Sequence, residues 1–159
     1  MKISEADRSG VRLFPPLVFA VAMGMAFLIQ RRFPLPVAGA EYAPTLRMVG
    51  VVFILDAIAL AIWAIATFRR IGTTPNPAGG STALALGGPY RISRNPMYLG
   101  LCVLQVGIGL AANVLWPLIL LPLFVLLMRQ AVIVPEERYL EAKFGEPYRA
   151  YKARVRRWI

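Results

Sequence analysis

The run NPMYLGLCVLQVGIGLAANVLWPLILLPLFVLLM, residues 95–128, holds 34 positions without one charged side chain. A helix rises about 1.5 Å per residue, so a single straight helix of this run would be about 50 Å long, against a hydrocarbon core of about 30 Å. The run must therefore turn. The turn is legible in AANVLWP, residues 111–117. Asparagine breaks the pattern, tryptophan suits a membrane interface, and proline suits a helix start. The stretch reads as a tight hairpin of two spans, near residues 96–112 and 114–134.

Two more spans precede it. Leu13 to Gln30 is 18 uncharged residues, with Pro15 and Pro16 in a first turn where proline is tolerated. Met48 to Phe68 has Asp56 as its only charge. The expectation is an all-α polytopic membrane protein with four transmembrane helices, near 13–30, 48–68, 96–112 and 114–134, making one domain over residues 1–159. The polar start, MKISEADRSGVR, and the lack of a small-residue cleavage pattern after it predict a retained first span rather than a signal peptide.

The composition agrees. The chain is 58% hydrophobic and 16% charged, yet its formal net charge is +10. A soluble basic protein spreads lysines over a polar surface, whereas here charge is excluded from long runs. The basic excess then reads as contact with anionic membrane lipids and as topology, and nucleic acid is not an expected partner. The chain has no histidine, which removes imidazole as base, shuttle or metal ligand. Its one cysteine, Cys102, excludes an intrachain disulfide and reads as a small buried hydrophobe. No metal site is expected.

Of the 18 lysines and arginines, only Arg31, Arg32 and Arg47 fall between the first and second spans. The others lie before the first span, between the second and third, or from Arg129 near the end of the fourth onward. By the positive-inside rule both termini and the long middle loop are expected in the cytoplasm, across an inner (plasma) membrane of bacterial type. After the fourth span, VPEERYLEAKF has proline in a plausible first turn, two glutamates where the helix dipole favours acids, and Gly145 as a stop. EPYRAYKARVRRWI then restarts, with Tyr148, Tyr151 and Val155 at helical spacing, as an interfacial amphipathic helix serving either as headgroup anchor or as lid.

Polar groups thus concentrate on one side. They are the loop FRRIGTTPNPAGGSTALALGGP, the stretch GGPYRISRNPMYLG (residues 87–100), and the adjacent Glu136 and Glu137. A hairpin brings its ends together, so Arg94, Asn95 and Tyr98 should lie near the two glutamates, walling a polar site at the membrane surface.

GPYRISRNPMYLG, followed by an apolar hairpin and then PEERYLEAKFGEPYRAYKARV, resembles the integral-membrane methyltransferases related to isoprenylcysteine carboxyl methyltransferase and phospholipid methyltransferases. The resemblance covers roughly residues 68–157. It implies an S-adenosylmethionine site on the cytoplasmic side, in segments 69–98 and 135–157, reached from the bilayer by a lipophilic small molecule or lipid. It carries over Arg94, Pro96, Tyr98 and Gly100 from the first motif, and Glu136 and Glu137 from the second. Tyr90, and Gly72 and Thr73 of a loop that in similar proteins helps close over the cofactor, join them as cofactor-binding candidates. Arg94, Asn95, Tyr98 and Glu137 are the catalytic candidates. The carboxyl methyltransferases usually have histidine where this chain has Asn95, and phospholipid enzymes can have asparagine there.

The residue types suit that cofactor. An arginine forks onto a carboxylate, and a glutamate accepts from an ammonium or ribose hydroxyls. Adjacent helical residues point about 100° apart, so Glu136 and Glu137 are expected to differ in role, one holding cofactor while the other pairs with Arg94 or Arg138. Methyl transfer from a sulfonium needs alignment and shelter from water, not a protein nucleophile or metal. An amine or thiol acceptor must lose a proton, for which Glu136, Glu137, Tyr98 and water are the candidates. Residues 107–112 match the dinucleotide pattern GxGxxA, but inside a span with no preceding strand they read as close helix packing. Asp56, in mid-span, reads equally as a contact for the acceptor headgroup or as a hydrogen bond to another helix. The alternatives to a methyltransferase are a nicotinamide-dependent reductase of the sterol-reductase type, whose members are generally larger, and a non-catalytic membrane module. The acceptor atom and the oligomeric state are not legible.

Overall fold

A computed structural model of the chain describes residues 13–72 and 83–159. Among the described residues there is no strand. The helices are α1 (Pro15–Arg32), α2 (Ala43–Arg70), α3 (Pro96–Ala111), α4 (Trp116–Met128), α5 (Val134–Phe144) and α6 (Glu146–Arg154), with 3-10 turns at Ala40–Tyr42 and Gly88–Arg91. A π-helical turn, Arg129–Ile133, joins α4 to α5 without a break. Each segment read as a span contains a helix. Two helical runs are long and apolar enough to cross a bilayer on their own, Ala40–Arg70 and Trp116–Phe144. The 16 residues of α3 extend about 24 Å, less than the hydrocarbon thickness.

Contacts gather into two compact units. The apolar unit takes Pro15–Ala59 and Tyr98–Met128. In it α1 packs on α4, where the rings of Phe19 and Phe124 meet edge to face with centroids 6.1 Å apart. Helices α2 and α3 touch backbone to backbone. A Cβ on Gly50 would lie 2.6 Å from the Gly107 carbonyl oxygen, and one on Gly107 would lie 2.9 Å from the Gly50 carbonyl oxygen. Small residues permit this approach, which is how helices pack where lipid competes with side chains. The GxGxxA segment is thus a packing seam, as read from the sequence. Gln105, fully buried, donates its Nε2 to the Pro117 carbonyl at 2.8 Å, so α3 and α4 share a polar tie.

The turn between α3 and α4 closes on Asn113, whose φ of +51° is left-handed. The Val114 N–H bonds to the Gly109 carbonyl and the Asn113 N–H to the Leu110 carbonyl, the pair of bonds that ends a helix in a Schellman motif. Asn113 then reaches the chain after α1. Its Oδ1 accepts from the N–H groups of Val37 and Ala38 at 3.0 and 3.1 Å, and its Nδ2 donates to the Ala38 carbonyl at 3.0 Å. Trp116 donates its indole N–H to the Phe33 carbonyl at 2.8 Å. Asp56 lies on the exposed face of α2, so the hydrogen bond to another helix is not made among the described residues.

The polar unit takes Leu60–Met97 and Arg129–Ile159. Two features differ from the sequence reading. The fourth span, expected to end near 134, passes as helix α4 into the π turn and on to Phe144. Pro135 has no N–H, and its ring crowds the carbonyl four residues earlier. Widening the turn before it relieves both without ending the helix. Helix α6 stops at Arg154, and Val155, expected to continue it, is extended with φ −117° and ψ 129°. Gly145 separates α5 from α6 at φ +59°, the stop the sequence predicted.

Candidate functional site

The GGPYRISRNP stretch is placed by α2. Gly88, at φ +57°, lies so close to that helix that a Cβ would come 2.5 Å from Thr67 Oγ1. The next turn sets the Tyr90 ring edge-on against Phe68, with centroids 5.2 Å apart. Tyr151 of α6 donates its hydroxyl to the Tyr90 carbonyl at 2.8 Å. The tyrosine face of α6 is therefore turned into the protein, with Tyr148 and Tyr151 both buried, and is not a headgroup anchor. Burial, with Glu136 second, pushes the Tyr90 phenol far above the usual tyrosine range. Burial, with Glu137 second, does the same for Tyr148. Burial also takes Tyr151 up to about 12, against an opposing pull from Arg94.

At the centre is Glu137, on the first turn of α5. It meets two guanidinium groups. Arg94 Nη2 lies 3.0 Å from Oε1. Arg157 forks onto the same carboxylate, Nε to Oε1 at 3.0 Å and Nη2 to Oε2 at 2.6 Å, and these bonds hold the Arg157 guanidinium above its ordinary range. The side chains of Arg94, Glu137 and Arg157 are 9%, 10% and 29% exposed. Arg94 is left with Nε and Nη1 buried and without a hydrogen-bond partner among the described residues. A buried charged donor without an acceptor is costly, so this face of Arg94 is chemically matched to an incoming anion such as a carboxylate.

The chain after α6 closes the cluster. The Arg94 N–H donates to the Arg156 carbonyl at 3.0 Å. The Arg157 carbonyl accepts from Ser93 Oγ at 3.2 Å and from Asn95 Nδ2 at 3.0 Å, while the Asn95 N–H donates to Ser93 Oγ at 3.1 Å. Asn95, a catalytic candidate from the sequence, thus has its side-chain amide engaged in holding the tail.

The structure brings Arg94 and Glu137 together, and with them Asn95 through the tail. Glu136, half-buried, sits close enough to Tyr90 and Tyr148 to act on both phenols. Glu137 pairs with Arg94 and Arg157, while both glutamates act on Tyr148. Pro96 is the buried first residue of α3. Tyr98 and Gly100, both buried, follow it on that helix and belong to the apolar unit. Gly72 lies in the turn after α2 at φ +67°, and Thr73 lies outside the described residues. Sequence reasoning missed Arg157 and Ser93. Arg157 was hidden in a basic run with Lys152, Arg154 and Arg156, which read together as headgroup contacts.

Among the described residues, an all-helical structure with two apolar helices of bilayer length and a buried arginine–carboxylate cluster carrying unpaired guanidinium nitrogens defines the class as a membrane protein with a polar site. A family model described as phospholipid methyltransferase matches residues 46–147, and the chain belongs to that family of membrane methyltransferases. The match begins well before residue 68, where the resemblance seen in the sequence started, and stops short of the tail that carries Arg157. A protein from Haemophilus influenzae described only as uncharacterized is 40% identical over 65 residues, which is 40% of this chain and the whole of that protein. No solved structure matches the chain.

Proposed function

We propose that the chain transfers the methyl group of S-adenosylmethionine to a lipid or other lipophilic acceptor at the cytoplasmic face of an inner membrane, with four helices crossing and both termini inside. The observation that carries this reading is the orphaned, buried face of Arg94. The cofactor's carboxylate supplies the acceptor that Nε and Nη1 lack, in a family whose members transfer methyl groups. When bound, S-adenosylmethionine supplies a methyl group already activated by a sulfonium leaving group. The protein's part is then to bind and align. Arg94 takes the carboxylate and Glu137 fixes Arg94. Glu136, which acts on Tyr90, is the proposed acceptor for the ammonium or a ribose hydroxyl. Pro96, Tyr98 and Gly100, carried by the first motif, and Gly72 and Thr73 of the preceding loop complete the proposed cofactor-binding set. Where the acceptor must lose a proton, Tyr98 and the glutamates are the candidate bases.

The test is titration calorimetry on the purified full chain in detergent. S-adenosylmethionine should bind, and Arg94→Ala should weaken it by about 2–3 kcal/mol, the loss of hydrogen bonds between buried charged groups. An affinity that ignores the substitution removes Arg94 from the site, and a preference for a reduced nicotinamide nucleotide overturns the reading.

A further inference from the structure

We infer that Arg157 is a positioning residue of the site, keeping Arg94 available to a ligand by occupying Glu137 in its place. The inference rests on the reading of Arg94 as the anion-binding group. Arg157 holds both carboxylate oxygens in a planar fork, at 3.0 and 2.6 Å. Arg94 touches one oxygen with one nitrogen, at 3.0 Å, and keeps two buried nitrogens unpaired. The fork is the stronger geometry for a guanidinium on a carboxylate. Without Arg157, Oε2 is open and Arg94 is the neighbouring guanidinium able to take it. Arg94 would satisfy its orphaned nitrogens on Glu137, and the pair would become neutral. With Arg157 present, two cations share one anion, and the residual positive charge lies on the arginine whose buried Nε and Nη1 have no partner among the described residues.

The backbone supports the same role. Ser93, Arg94 and Asn95 all bond to the carbonyls of residues 156 and 157, so the segment that carries Arg94 and the segment that carries Arg157 are fixed to each other on either side of Glu137. A side chain recruited only to neutralise Glu137 needs no such registration, because Arg94 is already there. Tail and motif are built as one unit.

The experiment compares two probes on the full chain in detergent, S-adenosylhomocysteine, which has the amino-acid carboxylate, and 5′-methylthioadenosine, which lacks it. Wild-type binding of S-adenosylhomocysteine checks the underlying reading, and its absence sinks that reading before Arg157 is touched. Given binding, Arg157→Gln should lower affinity for S-adenosylhomocysteine at least tenfold while leaving 5′-methylthioadenosine within about twofold, so the ratio of the two collapses. Arg157→Lys keeps a cation on Glu137 without the fork, and its ratio should fall between those of wild type and Arg157→Gln. If Arg157→Gln does not fold, the lysine variant decides alone. A ratio that stays at the wild-type value in a folded variant, or equal losses for both probes, overturns the inference, since a merely structural arginine does not discriminate ligands by a carboxylate.

Discussion

Tyr151 shows how a single side chain binds the C-terminal helix to the motif. Its hydroxyl donates to the Tyr90 carbonyl, and only the neutral phenol can do so. Burial raises its pKa from the ordinary tyrosine value to about 12. The folded chain therefore favours the protonated form. The contribution to stability is complete below about pH 10 and is lost as pH rises from there through 12. Tyr151→Phe should lower stability by about 1 kcal/mol near pH 8, and the gap between variant and wild type should narrow above pH 10. Unfolding in detergent, followed alongside phenolate absorbance, measures both, and a gap constant up to pH 12 would remove the hydrogen bond from the account. At this scale the sequence was informative about types and silent about partners. Arg94 and Glu137 were legible because two short motifs flank an apolar hairpin. The fork of Arg157 was not, because one arginine in a run of four basic residues carries no local signature of the carboxylate it will meet 20 residues back. The burial of Tyr148 and Tyr151 was also ambiguous, since a tyrosine stripe on a basic helix suits lipid headgroups and a protein groove alike.

Among the elements, the turn at Asn113 is specified most tightly. Asparagine tolerates the left-handed backbone and also supplies three hydrogen bonds to the chain after α1. The two contributions are separable. Asn113→Gly keeps the backbone freedom and loses the bonds, and should destabilise by about 1–2 kcal/mol. Asn113→Ala loses both and should cost about 2–3 kcal/mol. Thermal unfolding of the two variants in detergent measures the difference, and identical losses would mean that backbone conformation plays no part. This turn was readable in advance because AANVLWP packs a break, an interfacial aromatic and a helix start into seven residues. The passage from α4 into α5 was not. Proline in PEER looks like a beginning, and only the wider π turn before it lets a helix run through.

For the whole molecule, the distribution of lysine and arginine sets the expected topology. In a Cys102→Ala background, a cysteine at the exposed Ala150 should be labelled by a membrane-impermeant maleimide only after the cytoplasmic side is opened, and one at the exposed Glu41 should be labelled from outside in intact cells. Labelling of Ala150 from outside would reverse the orientation, and labelling of both positions from one side would refute the crossing number. On the proposed reading a lipophilic acceptor travels from the hydrocarbon to its reaction, and the meeting of Gly50 with Gly107 bears on its route. Where a single added methyl group finds a carbonyl oxygen less than 3 Å away, an acyl chain has no passage. The seam between α2 and α3 is shut to lipid at that level.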